Sequence, residues 1–242
     1  MATFVLVHGA WHGGWCWQRV VPILQAAGHS VFAPTLTGLG DRAALAKPEV
    51  DLSLHVKDVL AVIQDNNIND ALMVGLGYGG MVISQVAEHV AKRIENLVYI
   101  DGIVPYGGDS AFDLMPTSNR RELQEEAREH GDGWRIPPPP IAQVAISDPG
   151  DAEWVKSNLC PQPLKTFEER LPVQNIAAIH VTRSFIHCNS PAMDLFGRFA
   201  ERARAEAWRY QEIAAGHEAM VTEPHKLVAA LLKVCRLPET SS

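Results

Sequence analysis

The feature that most narrows what this chain can become is an apolar run that ends in a cluster of glycines. Ala71-Leu72-Met73-Val74 leads into Gly75-Leu76-Gly77-Tyr78-Gly79-Gly80, and Met81, Val82, Val86, His89 and Val90 follow at helical spacing. A short continuous apolar run bounded by turn residues marks a buried strand, and apolar residues three and four apart mark one face of a helix. Glycines at 75 and 79 suit a turn so tight that a side chain at either flank would strike the neighbouring strand or helix. The unit reads as strand, sharp turn and helix, the building block of a parallel sheet covered by helices.

The rest of the chain repeats that rhythm. Phe4-Val5-Leu6-Val7 is a buried strand ending at His8-Gly9, and residues 15–27 carry Trp15, Val20, Ile23 and Leu24 at helical spacing up to Gly28. Residues 30–33 form a second strand, and residues 52–63 a helix with Asp51 placed to cap its start. Residues 96–100, 180–187 and 208–213 supply further strands. A helix beginning near Pro191 and another over 224–234 complete the pattern. The expected fold is an α/β sheet, mostly parallel, of about six strands with helices on both faces. Residues 105–172 break the alternation with a charged helix near 119–130, four prolines at 137–140 and a short helix near 151–159. This segment reads as an insertion, a cap over the carboxyl edge of the sheet within a single domain spanning 1–242.

Composition removes several classes of function. A net charge of −7 argues against a polyanionic partner such as nucleic acid. No apolar stretch reaches membrane length, and the first residues run straight into a strand without a signal core. The four cysteines are widely spaced, with no metal-type Cys/His cluster, and Cys16 and Cys188 sit in apolar surroundings as expected of buried thiols. The expectation is a reduced, cytoplasmic protein without metal or cofactor that acts on a small molecule. Nothing in the composition speaks against a homodimer.

A strand running into a glycine turn that opens a helix is the context of a nucleophile elbow. Its central residue is Gly77, which has no side-chain oxygen, so an enzyme ester cannot form there. The rival reading is a dinucleotide-binding turn, since Gly75, Gly77 and Gly80 satisfy G-x-G-x-x-G. The turn follows the third strand, however, and no convincing ribose-binding acid lies where that motif needs one. Gly216-His217-Glu218 falls after the last strand and before the last helix, where a general-base histidine belongs in this chain order. His8 and His12 flank the glycine-containing loop after the first strand, and His12 reads first as a brace for that loop. The remaining histidines, at 29, 55, 89, 130 and 225, fall in turns or on helices.

Taken together, His8-Gly9-Ala10-Trp11-His12-Gly13-Gly14-Trp15, Gly28-His29, Pro34-Thr35-Leu36-Thr37-Gly38 and the elbow resemble the plant methylesterase and hydroxynitrile lyase family, and bacterial esterase-like relatives more closely. The resemblance implies an α/β-hydrolase fold. It makes Gly77 the degenerate nucleophile position, with Leu76 standing where the family has histidine. It implies His217 as the base and the amides of Ala10 and Tyr78 as an oxyanion hole. Asn189 falls near the family's usual aspartate position. Asp101, at the end of the preceding strand, is the other position the topology allows for the group that orients His217, and is preferred; Asp194 is a third. Trp11, Leu76, Phe112, Met115 and Trp134 are expected around the pocket, with Tyr78, Leu114, Ile136 and Ile141 as further apolar candidates.

The family likeness extends to methylketone synthase, a member that lacks the serine and decarboxylates 3-keto acids. The leading expectation is therefore lyase-like, cofactor-independent chemistry on a small apolar carbonyl compound: decarboxylation, carbon–carbon cleavage, cyclisation or isomerisation, in keto-acid or polyketide metabolism. Two alternatives stand beside it: hydrolysis of an ester or lactone by histidine-activated water, and a non-catalytic small-molecule-binding protein on a dead hydrolase scaffold.

Overall fold

In a computed structural model, which describes residues 1–170, 172 and 181–236, six strands form one sheet in the order β2-β1-β3-β4-β7-β8. They are β1 (Thr3–Val7), β2 (Ser30–Phe32), β3 (Ala71–Leu76), β4 (Ile94–Ile100), β7 (Thr182–Cys188) and β8 (Arg209–Ile213). Each neighbouring pair is parallel. The two-residue strands β5 (Arg135–Ile136) and β6 (Gln162–Pro163) pair antiparallel in a separate ribbon.

The central strands β1, β3 and β4 are mainly apolar because both of their faces are covered, and the period of two divides their side chains. Val5, Val7, Met73, Leu97, Tyr99 and Phe185 pack with α2 (Leu52–Asp65), α3 (Gly79–Val90) and α7 (Asp194–Ala205). Phe4, Leu6, Leu72, Val74, Val98 and Ile186 point the other way, toward α1 (Val21–Ala26), the short α8 (Ala219–Thr222) and α9 (Pro224–Arg236). Asp51 caps α2 by accepting the Leu54 amide.

Two helix boundaries differ from the sequence pattern. Residues 15–27 are not one helix: a 3-10 turn at Gly14–Trp17 precedes α1, so the apolar spacing served two short elements. Pro191 lies ahead of α7, which starts at Asp194 after the Met193 cap. Of the expected strand at 180–187, His180 lies outside the described residues.

Between β4 and β7 the chain leaves the sheet to form α4 (Thr117–His130), β5, α5 (Pro149–Asn158), β6 and α6 (Lys165–Glu168). This excursion is fastened to the loop after β1. The Trp11 amide donates to Gln162 Oε1 at 3.0 Å, the Trp11 indole N–H donates to the Ile136 carbonyl at 3.1 Å, and the Cys160 amide donates to the Trp11 carbonyl at 3.0 Å. Strand order reverses at β1, with β2 on one side and β3 on the other. A crevice at the carboxyl ends of β1 and β3 is where such sheets hold ligands.

Candidate active site

The glycine turn after β3 has the steric economy expected of it. A Cβ on Gly75 would lie 2.7 Å from the Gly79 carbonyl carbon, and one on Gly79 would lie 2.6 Å from the Val7 carbonyl oxygen. Gly77 itself has φ +52°, in the left-handed region that favours glycine. Two other residues at the site, Trp11 (φ 63°) and Asp101 (φ 37°), hold left-handed backbone without being glycine. Such conformations cost free energy and persist only where their surroundings impose them; the cap's three hydrogen bonds to Trp11 do so for that residue.

His217 approaches Gly77 from the loop after β8. A Cβ built on Gly77 would sit 3.2 Å from His217 Nε2 and 3.4 Å from Cε1. The ring stacks on Phe196 at a centroid distance of 4.5 Å and an angle of 7°, which fixes its plane. Its Nδ1 lies 3.4 Å from Asp101 Oδ2. The other oxygen, Oδ1, accepts from His187 Nδ1 at 3.0 Å and from the Cys188 amide at 2.9 Å. Burial alone would raise the Asp101 pKa, but the hydrogen bonds from His187 and His217, the charge of His217 and the Cys188 amide outweigh it and hold the carboxyl below its usual range. His187 is raised in return, chiefly by its bond to Asp101.

Asn189 is not part of this set, which corrects the expectation that placed it near the base. Its amide donates to the Ile213 carbonyl and its side chain to Glu212 Oε2, so β8 holds it on the exposed side. Asp101 meets His187 and Cys188 because β4 ends beside β7, and the loop after β8, the next strand in the sheet, brings His217 to its other oxygen.

On the opposite wall, His12 is braced at both nitrogens. Nδ1 lies 2.7 Å from the Ala10 carbonyl and Nε2 lies 3.1 Å from Glu218 Oε2. Both residues are buried. Tyr78 is held by a second internal histidine, His55, whose Nε2–H donates to the Thr37 carbonyl at 2.9 Å and whose Nδ1 is 3.0 Å from the Tyr78 hydroxyl. A carbonyl only accepts, so Nε2 carries a hydrogen; burial lowers the His55 pKa to about 4, which leaves the ring neutral and Nδ1 to accept the phenol proton. His8 ties the loop after β1 to the one after β2, accepting the Leu36 amide.

These groups enclose a cavity of about 250 Å³ lined by Gly9, Ala10, Trp11, His12, Gly77 and Tyr78 on the sheet side and by Met115, Leu123, Val144, Leu159 and Phe167 on the cap side. Among the described residues, neither the Ala10 nor the Tyr78 amide donates to a protein acceptor. Trp11 and Met115 line the cavity as expected, but three other pocket candidates do not. Leu76 is the last residue of β3 and its alternation sends it to the face covered by α1 and α9. Phe112 packs inside the cap against Phe167, and Trp134 lies under the Arg135 guanidinium. Glu218, His187 and His55 were missed by the pattern reading. Only Glu218 carried a local signal, its place next to His217. No cluster of described residues is arranged to hold a metal ion, and no described helix is long and apolar enough to cross a membrane.

A parallel sheet with this strand order, a glycine turn after β3 and a histidine after β8 define an α/β-hydrolase. The chain belongs to the Alpha/beta hydrolase family, whose model matches residues 4–231. It is 36% identical over 240 residues to a carbendazim hydrolyzing esterase of Nocardioides sp. (strain SG-4G), covering 96% of this chain and 98% of that one. In structure it is similar to an extracellular α/β-hydrolase from a Paenibacillus species (TM-score 0.87, 23% identity, 96% and 98% covered). It is also similar to tomato methylketone synthase I complexed with 2-tridecanone (TM-score 0.78, 21% identity, 97% and 98% covered).

Proposed function

We propose that the protein is a serine-independent enzyme in which His217 acts as general base on a small, neutral, largely apolar carbonyl compound, and that its reaction is hydrolysis by an activated water. The observation that carries this reading is the approach of His217 Nε2 to Gly77, at 3.2 Å from where a Cβ would stand. At the position the family gives to its nucleophile, the base meets hydrogen in place of a hydroxymethyl group. His217 takes a proton from water, and the hydroxide adds to the carbonyl carbon. The oxyanion accepts from the Ala10 and Tyr78 amides, and collapse expels the leaving group with the proton returned by His217. Asp101 orients the ring and stabilises the imidazolium. General-base assistance of this kind contributes roughly 10²–10⁴-fold, and one oxyanion donor about 10²–10³-fold.

Proton abstraction from carbon would use the same base and amides, which keeps lyase-like chemistry as the second reading. The lining favours hydrolysis. A keto acid would bring a carboxylate to a cavity whose acidic lining is Glu122 and Glu218, with no lysine or arginine among the described lining residues. The likeness to an esterase along almost the whole chain supports the same choice.

A panel of neutral aryl esters, lactones and β-keto acids, run with the wild type and His217→Ala, tests the proposal. Turnover of the neutral compounds that depends on His217, with no burst and no acylated protein by mass spectrometry, is the expected result. Turnover of the keto acids alone would select the lyase reading. Equal rates in both proteins overturn the base, and tight binding without product would make this a binding protein.

A further inference from the structure

The mechanism above leaves one buried charged group unused. Glu218 is 3% exposed and His12 5%, yet both line the cavity. The Ala10 carbonyl can only accept, so His12 Nδ1 carries a hydrogen. His12 Nε2 then either donates to a Glu218 carboxylate or accepts from a Glu218 acid; in both cases the pair is neutral overall and shares one proton. Burial opposes charge on either partner, but their mutual attraction prevails, lowering Glu218 and raising His12 toward the ion-paired form.

Only one oxygen of Glu218 is used in that pair. Oε2 faces His12, and no described residue donates to Oε1. Glu218 lines the cavity, so this second oxygen is open to an N–H or O–H brought by a ligand, and a hydrogen bond to a carboxylate is among the stronger kinds. Three features narrow that ligand. Glu122 repels an anion, and Glu218 Oε1 presents lone pairs to the ligand. His12 already neutralises Glu218, so no full positive charge is required. The other walls are mainly apolar, with Trp11, Leu123, Leu159, Phe167 and Phe196 among them. The acceptor also belongs to the reacting end of the cavity: Glu218 follows His217 in the chain, and His12 holds the carbonyl of Ala10, whose amide faces the oxyanion.

We propose that Glu218 Oε1 is a substrate-binding acceptor, which makes the cavity a site for neutral acyl compounds bearing an N–H beside the reacting carbonyl: carbamates, ureas, anilides and acylated azoles. For turnover this rests on the proposed role of His217; for binding it does not.

The test separates the two. Binding of N,N′-diphenylurea and of its singly N-methylated counterpart is measured by calorimetry on the His217→Ala protein, where no chemistry is needed. The N–H compound is expected to bind about 10–100-fold more tightly, the range for a hydrogen bond to a charged group. Glu218→Ala introduced alongside should bring the ratio within about threefold of unity. If that protein does not fold, Glu218→Gln, of the same shape, should still lower the ratio. Equal binding of the two ureas, no binding of either, or a preference that survives loss of the carboxylate overturns the proposal. In the wild type, 4-nitroacetanilide against its N-methyl form should show the same preference in kcat/KM. Equal turnover by the wild type and His217→Ala, or none by the wild type, with the binding ratio intact would refute the role of His217 and leave that of Glu218 standing.

Discussion

Two buried carboxylates each meet a histidine that lines the cavity, and they are held in different ways. Asp101 is surrounded: His187 and the Cys188 amide occupy one oxygen and His217 approaches the other. Glu218 meets His12 through one oxygen and leaves the second without a donor among the described residues. A carboxylate fixed from three directions has little freedom to engage a ligand and serves to hold a ring in place. A carboxylate with a spare lone-pair face in an apolar cavity is the better ligand acceptor. Under the proposed function this difference gives Asp101 to the chemistry and Glu218 to recognition, and it can be broken by experiment.

The largest effect is expected from His217→Ala, which should lower kcat/KM by about 10³-fold with little change in melting temperature, since the ring supports catalysis more than packing. Next comes Asp101→Asn. It keeps the shape but removes the charge that stabilises the imidazolium, and a fall in kcat of about 10²-fold with KM nearly constant is expected. A loss confined to KM would place Asp101 in recognition and erase the contrast with Glu218. His187→Asn should cost about tenfold or less in kcat, because Asp101 keeps the Cys188 amide and His217 when this donor is weakened. Rescue of that loss by Gln but not by Leu would identify His187 as a positioning residue.

The smallest effect concerns stability against pH. Glu218 raises the His12 pKa in the folded state above its ordinary value of 6.5. The stability gained from that protonated ring is therefore complete below about pH 6.5 and is lost as pH rises through the folded value. Glu218→Gln removes the cause, so the melting-temperature gap between wild type and variant should be wider at pH 6 than at pH 9. A gap that is constant, or widens with pH, would mean that His12 and Glu218 are not an ion pair.

The sequence by itself determined what depends on near neighbours. Apolar runs marked the strands at residues 4–7, 71–74 and 96–100, and the glycines at 75 and 79 marked a turn that admits no side chain, because each signal acts within a few residues. Asp51 capped the helix it preceded for the same reason. The helix starts after β1 and β7, at residues 21 and 194, were less legible, since a 3-10 turn shared the apolar spacing in one case and Pro191 fell ahead of the helix in the other. What only the tertiary structure decided was which distant side chains meet. Asp101 and Asn189 were both admissible by chain order, and the adjacency of β4, β7 and β8 brought one to His217 while pairing with β8 turned the other outward. Phe112 and Trp134 were apolar cap residues like Met115, but only the folded cap showed which of them faced the cavity. Glu218 and His12 lie 206 residues apart, and no local pattern encodes their contact. It arises because parallel strands deliver all their carboxyl ends to one edge, so the loops that end them converge there whatever their separation in the chain.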